Sequence, residues 1–371
     1  MTMHLSNLSL INFKNYAQLD LEFCPKINCF VGNNGVGKTN LLDAVYYLSF
    51  CKSYFNNVDV QSIRHDEGFF MIQGTFIRDE KTEVIYCGIK KGQKKQFKRN
   101  KKDYTKLSDH IGLLPLVMVS PADINLIEEG SEERRKFIDG VISQFDKEYL
   151  ETLIQYKKVL IQRNTLLKDF AVKKYFDRDS IDIWTDQLIR FGTLIHEKRK
   201  LFVEKFIPIF QKYYEFISGG KELVNLIYES QLHNSDFSAL MNGSIEKDRV
   251  LQYTTVGAHK DDLHLNLGEY PIKRVGSQGQ KKTYLLALKM AQFEFIRDIV
   301  AINPILLLDD IFDKLDKNRV KQIINMVGEK SFGQIFISDT DIVRTAEILK
   351  ELDTEFRIFD IENDAVILRQ T

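Results

Sequence analysis

The residues 32–39, GNNGVGKT, place the types that handle a triphosphate inside one short window. Gly32, Gly37, Lys38 and Thr39 satisfy G-x-x-x-x-G-K-[ST]. Glycines at 32, 35 and 37 let the backbone turn so that successive N–H groups point inward at phosphate oxygens, with Asn33, Asn34 and Val36 completing the loop. In such a P-loop Lys38 reaches the β- and γ-phosphates and the Thr39 hydroxyl ligates Mg²⁺. A second set, ILLLDD at 305–310, is an apolar run ending in two carboxylates, the form of a Walker B strand. Asp309 there shares the Mg²⁺ with Thr39, and Asp310 positions or deprotonates an attacking water. A third set is VGSQGQ at 275–280. Ser277 is suited to cap a helix whose mouth Gly276, Gly279 and Gln280 keep open to an anion.

Each motif also has a plainer reading: a Gly-rich turn, a buried strand with a polar exit, a simple helix cap. Their order in one chain favours the chemical reading. Two anion-binding mouths for one triphosphate fit a head-to-head dimer, in which the mouth at Ser277 closes over the γ-phosphate held by the other subunit. Lys38 and Asp309 stand 271 residues apart, far more than one strand crossover needs, so something large is inserted. That separation argues against a compact nucleotide kinase.

The elements that must position these residues are legible nearby. Ile27–Val31 reads as a buried strand entering the loop, and Leu41, Leu42, Val45 and Leu48 as the helix leaving it. Leu8, Leu10 and Phe13, then Leu19, Leu21 and Phe23, mark two strands ahead of it. FFMIQGTFIR and TEVIYCGIKK read as an antiparallel pair turning at 79–81. From Ser131 to about residue 216 the pattern is helical, and the stripe of Ile181, Trp184, Leu188, Phe191, Ile195, Phe202, Phe206 and Ile209 reads as core. Strand periodicity returns at DLHLNL, 262–267. A long helix from SQGQ, the ILLLDD strand, a helix over KNRVKQIINMVGEK, and strands at GQIFISD, RIFDIEND and AVILRQ follow.

The expected fold is therefore α/β, a P-loop NTPase of ABC-ATPase type with an antiparallel β subdomain and a helical insertion. The expected division is a head lobe over 1–125, an arm over 126–250 and a second head lobe over 251–371. At 371 residues the chain exceeds what one core usually supports.

Charge is balanced, with 52 Lys plus Arg against 52 Asp plus Glu, so any nucleic-acid surface must be local. The stretch 90–106 holds nine Lys or Arg against one acid, Asp103, with Phe97 and Tyr104 interleaved. It reads either as a solvated hairpin or as a phosphate-tracking surface with stacking groups. Four cysteines, at 24, 29, 51 and 87, match no metal or disulfide pattern. No apolar run reaches membrane-spanning length and no signal peptide is evident, so a cytoplasmic protein without a membrane partner is expected.

The order of elements resembles the ABC-type ATPase heads of the SMC and Rad50 class, and within it the RecF family of bacterial recombination and repair ATPases. The resemblance spans nearly the whole chain. It is carried by NFKNY at 12–16, GNNGVGKT, LSDHIGLLPLVMVSPAD at 107–123, ERRKFID at 133–139, GAHKDDL at 257–263, SQGQ, LLDDIFDKLD at 307–316 and FISDTD at 336–341. It implies a D-loop at Asp313 and Asp316, a switch at Ser338–Thr340 and a nucleotide-side role for Lys14. LPLVMVSP offers no glutamine where a Q-loop would stand. The resemblance further implies ATP and Mg²⁺ as cofactors, an ATP-dependent homodimer with weak hydrolysis, and DNA that is single-stranded, gapped or at a single-strand/double-strand junction. RecO- and RecR-type partners, recombinase loading and SOS induction belong to the same expectation. An arm of this length is too short for a chromosome tether, and the missing switch histidine sets the chain apart from transporter ATPases.

Overall fold

The computed structural model describes residues 2–220, 222–311, 332–351, 354–362 and 365–369. The expected helix over 317–330 and the two D-loop aspartates lie outside the described residues. The chain forms two compact units: 1–123 with 216–219 and 282–371, and 124–215 with 220–281.

The first unit holds two six-stranded sheets. One is antiparallel, in the order β2 (Tyr16–Glu22), β1 (Met3–Phe13), β4 (Phe69–Arg78), β5 (Lys81–Lys90), β6 (Gln96–Arg99), β7 (Lys102–Asp103). The β4–β5 turn is the two residues Asp79 and Glu80, both with positive φ, the conformation whose twist suits a tight hairpin. The other sheet runs β15 (Ala365–Arg369), β14 (Phe356–Glu362), β3 (Ile27–Val31), β13 (Ile335–Asp339), β12 (Ile305–Asp309), β8 (Leu116–Val119). It is parallel except for the edge strand β15. β3, β12 and β13 are buried along their whole length, which is why they read as unbroken apolar runs rather than alternating ones.

Helix α1 (Lys38–Phe50) packs against strands of both sheets, and its Leu41, Leu42, Val45 and Leu48 join Phe13, Phe30, Phe70 and Phe336 in one core. Parallel strands put their C-terminal ends on one edge, so Val31, Asp309 and Asp339 leave the sheet side by side. That edge is where the loop at 32–39 begins.

The second unit is mainly helical: α2 (Asn125–Glu128), α3 (Ser131–Ile142), α4 (Lys147–Lys173), α5 (Arg178–Ser218), α6 (Phe237–Leu251) and α7 (Ile272–Val275), where α5 runs on past Glu215 into the first unit's residues. Its three-stranded antiparallel sheet orders β11 (Tyr270–Pro271), β10 (Asp262–Leu267) and β9 (Val224–Glu229). Helix α8 (Gln278–Val300) begins here and continues into the first unit. Within α5, Ile181, Leu188, Ile195, Phe202 and Phe206 are buried, while Trp184, Phe191 and Ile209 are half-buried.

Residues 251–281, expected with the second head lobe, cluster instead with the helical unit. The cause is non-local: β10 pairs along its length with β9, and Arg199 of α5 donates to Asp261 and to the carbonyl of Ala258.

Candidate nucleotide-binding site

At the strand edge the chain leaves β3 through Gly32, whose φ is +147° and whose missing Cβ leaves room for the carbonyl of Ile361. A Cβ at Gly37, φ +108°, would collide with the Asn15 side chain and the Tyr16 hydroxyl. Both positions require glycine on two counts, conformation and space. Asn15 holds the loop from outside: its Nδ2 donates to the carbonyl of Val36 at 3.3 Å, and its Oδ1 accepts from Asn40 Nδ2 at 2.7 Å.

Lys38 folds back over the loop, Nζ donating to the carbonyls of Gly32 at 2.7 Å and Asn33 at 2.8 Å. Burial lowers its pKa, and the nearby charges of Asp310, Asp309 and Asp339 oppose that shift. The Thr39 hydroxyl donates to Asp309 at 2.9 Å to Oδ1 and 3.1 Å to Oδ2. Ser338, at the end of β13, donates from Oγ to Asp309 Oδ1 at 2.7 Å and accepts from the Asp310 N–H at 2.9 Å. Asp310 stands at φ +49°, a strained setting for a residue with a side chain.

These groups, with Asn34, Gly35, Gly37 and Asn40, line one cavity of about 180 Å³. A second, of about 430 Å³, flanks Gly32 and Asn33 and is lined also by Thr340, Asp360 and Arg369, the last two ion-paired. Thr39 Oγ and the Asp309 carboxylate are hard oxygen donors of the kind Mg²⁺ takes. Among the described residues no cluster of three or more His, Cys, Asp or Glu could hold a metal alone. A donor pair of this size fits Mg²⁺ that completes its shell with phosphate oxygens and water.

Asp309 has a raised pKa, first because it is buried; hydrogen bonds from Ser338 and Thr39 pull it down, the Asp310 charge pushes it up and Lys38 pulls it down. A carboxyl whose folded pKa lies above its unfolded one destabilises the fold once pH exceeds the unfolded value, increasingly up to the folded one. Asp309→Asn should therefore raise the thermal midpoint at pH 7, a gain that shrinks as pH falls through the raised pKa toward the ordinary aspartate value and is gone below it. Calorimetry at both pH values checks this; an unchanged or lower midpoint at pH 7 refutes it.

In the second unit, Ser277 caps α8 as expected. Its Oγ accepts from the Gln280 N–H at 3.2 Å, and its own N–H donates to Gln280 Oε1 at 2.7 Å, a reciprocal capping box. Gly276 is held where a Cβ would meet the carbonyl of Ile272 at 2.8 Å.

Two expectations need correction. Lys14 does not turn toward the loop: its Nζ pairs with the buried Asp43 of α1 at 2.7 Å, and its neighbour Asn15 makes the loop contact instead. Phe97 and Tyr104 are not free to stack on bases. Phe97 is 2% exposed in the core, and Tyr104 packs against it and against buried His110, whose Nδ1 lies 3.0 Å from the Tyr104 hydroxyl. Lys95 also turns inward, to Asp59 and the carbonyl of Cys51, and Arg99 is paired with Glu83. Where a Q-loop was sought, β8 runs beside β12 and exits at Ser120, whose N–H donates to Asp123; Asp123 in turn pairs with buried Lys289 at 2.6 Å. The contact residues missed were Asn15 and Asn40. NFKNY drew notice as a motif, yet nothing in its chemistry assigned Asn15 a partner.

A P-loop and an acidic strand end on a mixed sheet, with an antiparallel sheet packed on the same helix, define an ABC-type ATPase head. Similarity to solved structures agrees: an Smc head domain from Pyrococcus furiosus aligns at TM-score 0.59 over 99% of this chain and 96% of that one, at 18% identity. The family model for the RecF/RecN/SMC N terminal domain matches residues 4–366. A "DNA replication and repair protein RecF" of Flavobacterium johnsoniae is 54% identical over 97% of this chain and all of its own length. The protein of that description from Porphyromonas gingivalis is 45% identical over 98% of this chain. The structure described as recombination mediator protein RecF with ATP, in the RecFOR pathway, aligns at TM-score 0.90 and 31% identity, covering 100% of this chain and 98% of that one. The chain belongs to the RecF family.

Proposed function

We propose that this protein is a DNA replication and repair ATPase that binds ATP with Mg²⁺ in the cavity at Lys38, Thr39 and Asp309 and dimerises when ATP fills it. Gly32 to Gly37 present their N–H groups to the phosphates, Lys38 contacts the β- and γ-phosphates, and Thr39 with Asp309 holds the metal. Asp310 orients the water for slow hydrolysis, which reopens the dimer. Ser277, with Gly279 and Gln280, contacts the γ-phosphate bound by the other subunit. The observation that carries this reading is the meeting of Thr39 and Asp309, 270 residues apart, at hydrogen-bond distance beside the loop.

The arm and head together act on single-stranded or gapped DNA and its junctions with duplex, with RecO- and RecR-type partners, to load recombinase and support SOS induction in the cytoplasm. The likeness to RecF structures described with ATP and the RecFOR pathway supports this. No described helix is long and apolar enough to cross a membrane. Lys90, Lys91, Lys94, Lys101, Lys102 and Lys106 remain exposed along the β5–β7 edge and form the candidate phosphate-tracking row.

Phosphate release by wild type and Asp310→Asn, with and without gapped DNA, tests the catalytic half. The variant should lose at least about 100-fold, the lower end of the 10²–10⁴ range typical of a positioned base, and still dimerise on ATP. Equal background rates for both proteins would make the molecule a nucleotide-gated scaffold instead.

A further inference from the structure

Glu222, just before β9, joins the cap of α8 to the end of the arm's longest helix. Its Oε1 accepts from Gln280 Nε2 at 2.7 Å, and its other oxygen accepts from the hydroxyl of Tyr214, a buried residue near the end of α5. None of this belongs to the P-loop cavity.

The chemistry fixes an orientation. The Gln280 side chain has one acceptor and one donor end, and Ser277 N–H demands the acceptor. A carboxylate only accepts, so Glu222 demands the donor. Both demands are met by one of the two amide orientations and violated by the other. The locked Gln280 amide oxygen holds the Ser277 N–H, while the Gln280 backbone N–H donates to Ser277 Oγ, which keeps its own proton for a further acceptor. The two bonds together hold residue 277 in one capped geometry at the mouth of α8.

We infer that Glu222 is a positioning residue for the signature mouth, fixing the Gln280 side chain and through it the backbone of Ser277, with Tyr214 tying that setting to helix α5. The inference rests on the reading of Ser277 as the contact to the other subunit's ATP. Displacing the end of α5 from Glu222 releases the amide and weakens the closed dimer without touching the P-loop.

The full-length protein is titrated with ATP while dimerisation is followed by sedimentation velocity, and ATP binding by the monomer is measured at high dilution. Glu222→Gln offers one carbonyl oxygen to two donors, so half-dimerisation should need about tenfold more ATP, as expected for a lost hydrogen bond to a charged group. Monomer affinity for ATP should be unchanged. Tyr214→Phe should shift dimerisation in the same direction by less. Glu222→Leu, which removes both acceptor oxygens, should shift dimerisation at least as far as Glu222→Gln.

A purely structural Glu222 would lower the thermal midpoint and leave dimerisation of the folded protein unmoved, and that result overturns the proposal. Ser277→Arg is the separate control: if it dimerises on ATP like wild type, the composite-site reading itself has failed. If it does not dimerise while Glu222→Gln behaves as wild type, only the role given to Glu222 has failed.

Discussion

Lys38→Ala should bind ATP at least 100-fold more weakly than the unmodified protein and lose ATP-dependent dimerisation altogether. In the structure the Lys38 ammonium is held over the loop by the carbonyls of Gly32 and Asn33. It is the cation that the loop turns toward its centre, and truncating one side of a buried charge-assisted contact typically costs about 2–5 kcal/mol. Burial lowers its pKa, and the charges of Asp310, Asp309 and Asp339 oppose that shift. Equilibrium binding of ATP measures the effect directly. At ATP far above both dissociation constants, a 100-fold difference should appear as about 2.7 kcal/mol less ligand-induced stabilisation. Unchanged affinity would move the triphosphate elsewhere, with the neighbouring cavity at Asp360 and Arg369 as the first place to look.

How much of this was legible depends on how far apart the partners lie in sequence. GNNGVGKT encodes its own geometry, because glycine at 32 and 37 is demanded by backbone φ and by contact with Ile361, Asn15 and Tyr16. Full burial of β3, β12 and β13 leaves an unbroken apolar signature, so their strands were readable together with the carboxylates at the end of β12. What could not be read were pairings of polar side chains across long loops. No local pattern says that Lys14 would choose Asp43, or that Glu222 would meet Gln280.

The rings of the basic stretch are a different case. Its alternation was too short to show that Phe97 pairs with Cys87 on the buried face of the sheet, so a core ring looked like a stacking platform. The expected division at 250 was drawn without the β9–β10 pairing and a buried ion cluster, both of which join residues on either side of it.

That cluster carries the other large effect. Arg199 is 3% exposed and spends its guanidinium on two acids: Nη2 to Asp139 at 2.9 Å and Nη1 to Asp261 at 2.7 Å, with the carbonyl of Ala258 also at 2.7 Å from Nη1. Tyr149 and Tyr228 donate to the same two carboxylates. Arg199→Ala strands two buried anions at once, and should cost about 3–5 kcal/mol in urea unfolding, a large part of the about 5–15 kcal/mol that holds a domain together. Arg199→Lys should recover only a fraction, because one ammonium cannot reproduce the planar fork that serves Asp139, Asp261 and a carbonyl together. The decisive variant removes the acids as well: Arg199→Met with Asp139→Leu and Asp261→Leu should regain most of the stability, since apolar replacement of a whole buried ion cluster is often neutral or better. If the triple variant is as unstable as Arg199→Ala, the stranded charges are not the cause. The cluster would then matter through the neutral partners it satisfies, the Ala258 carbonyl and the Tyr149 and Tyr228 hydroxyls.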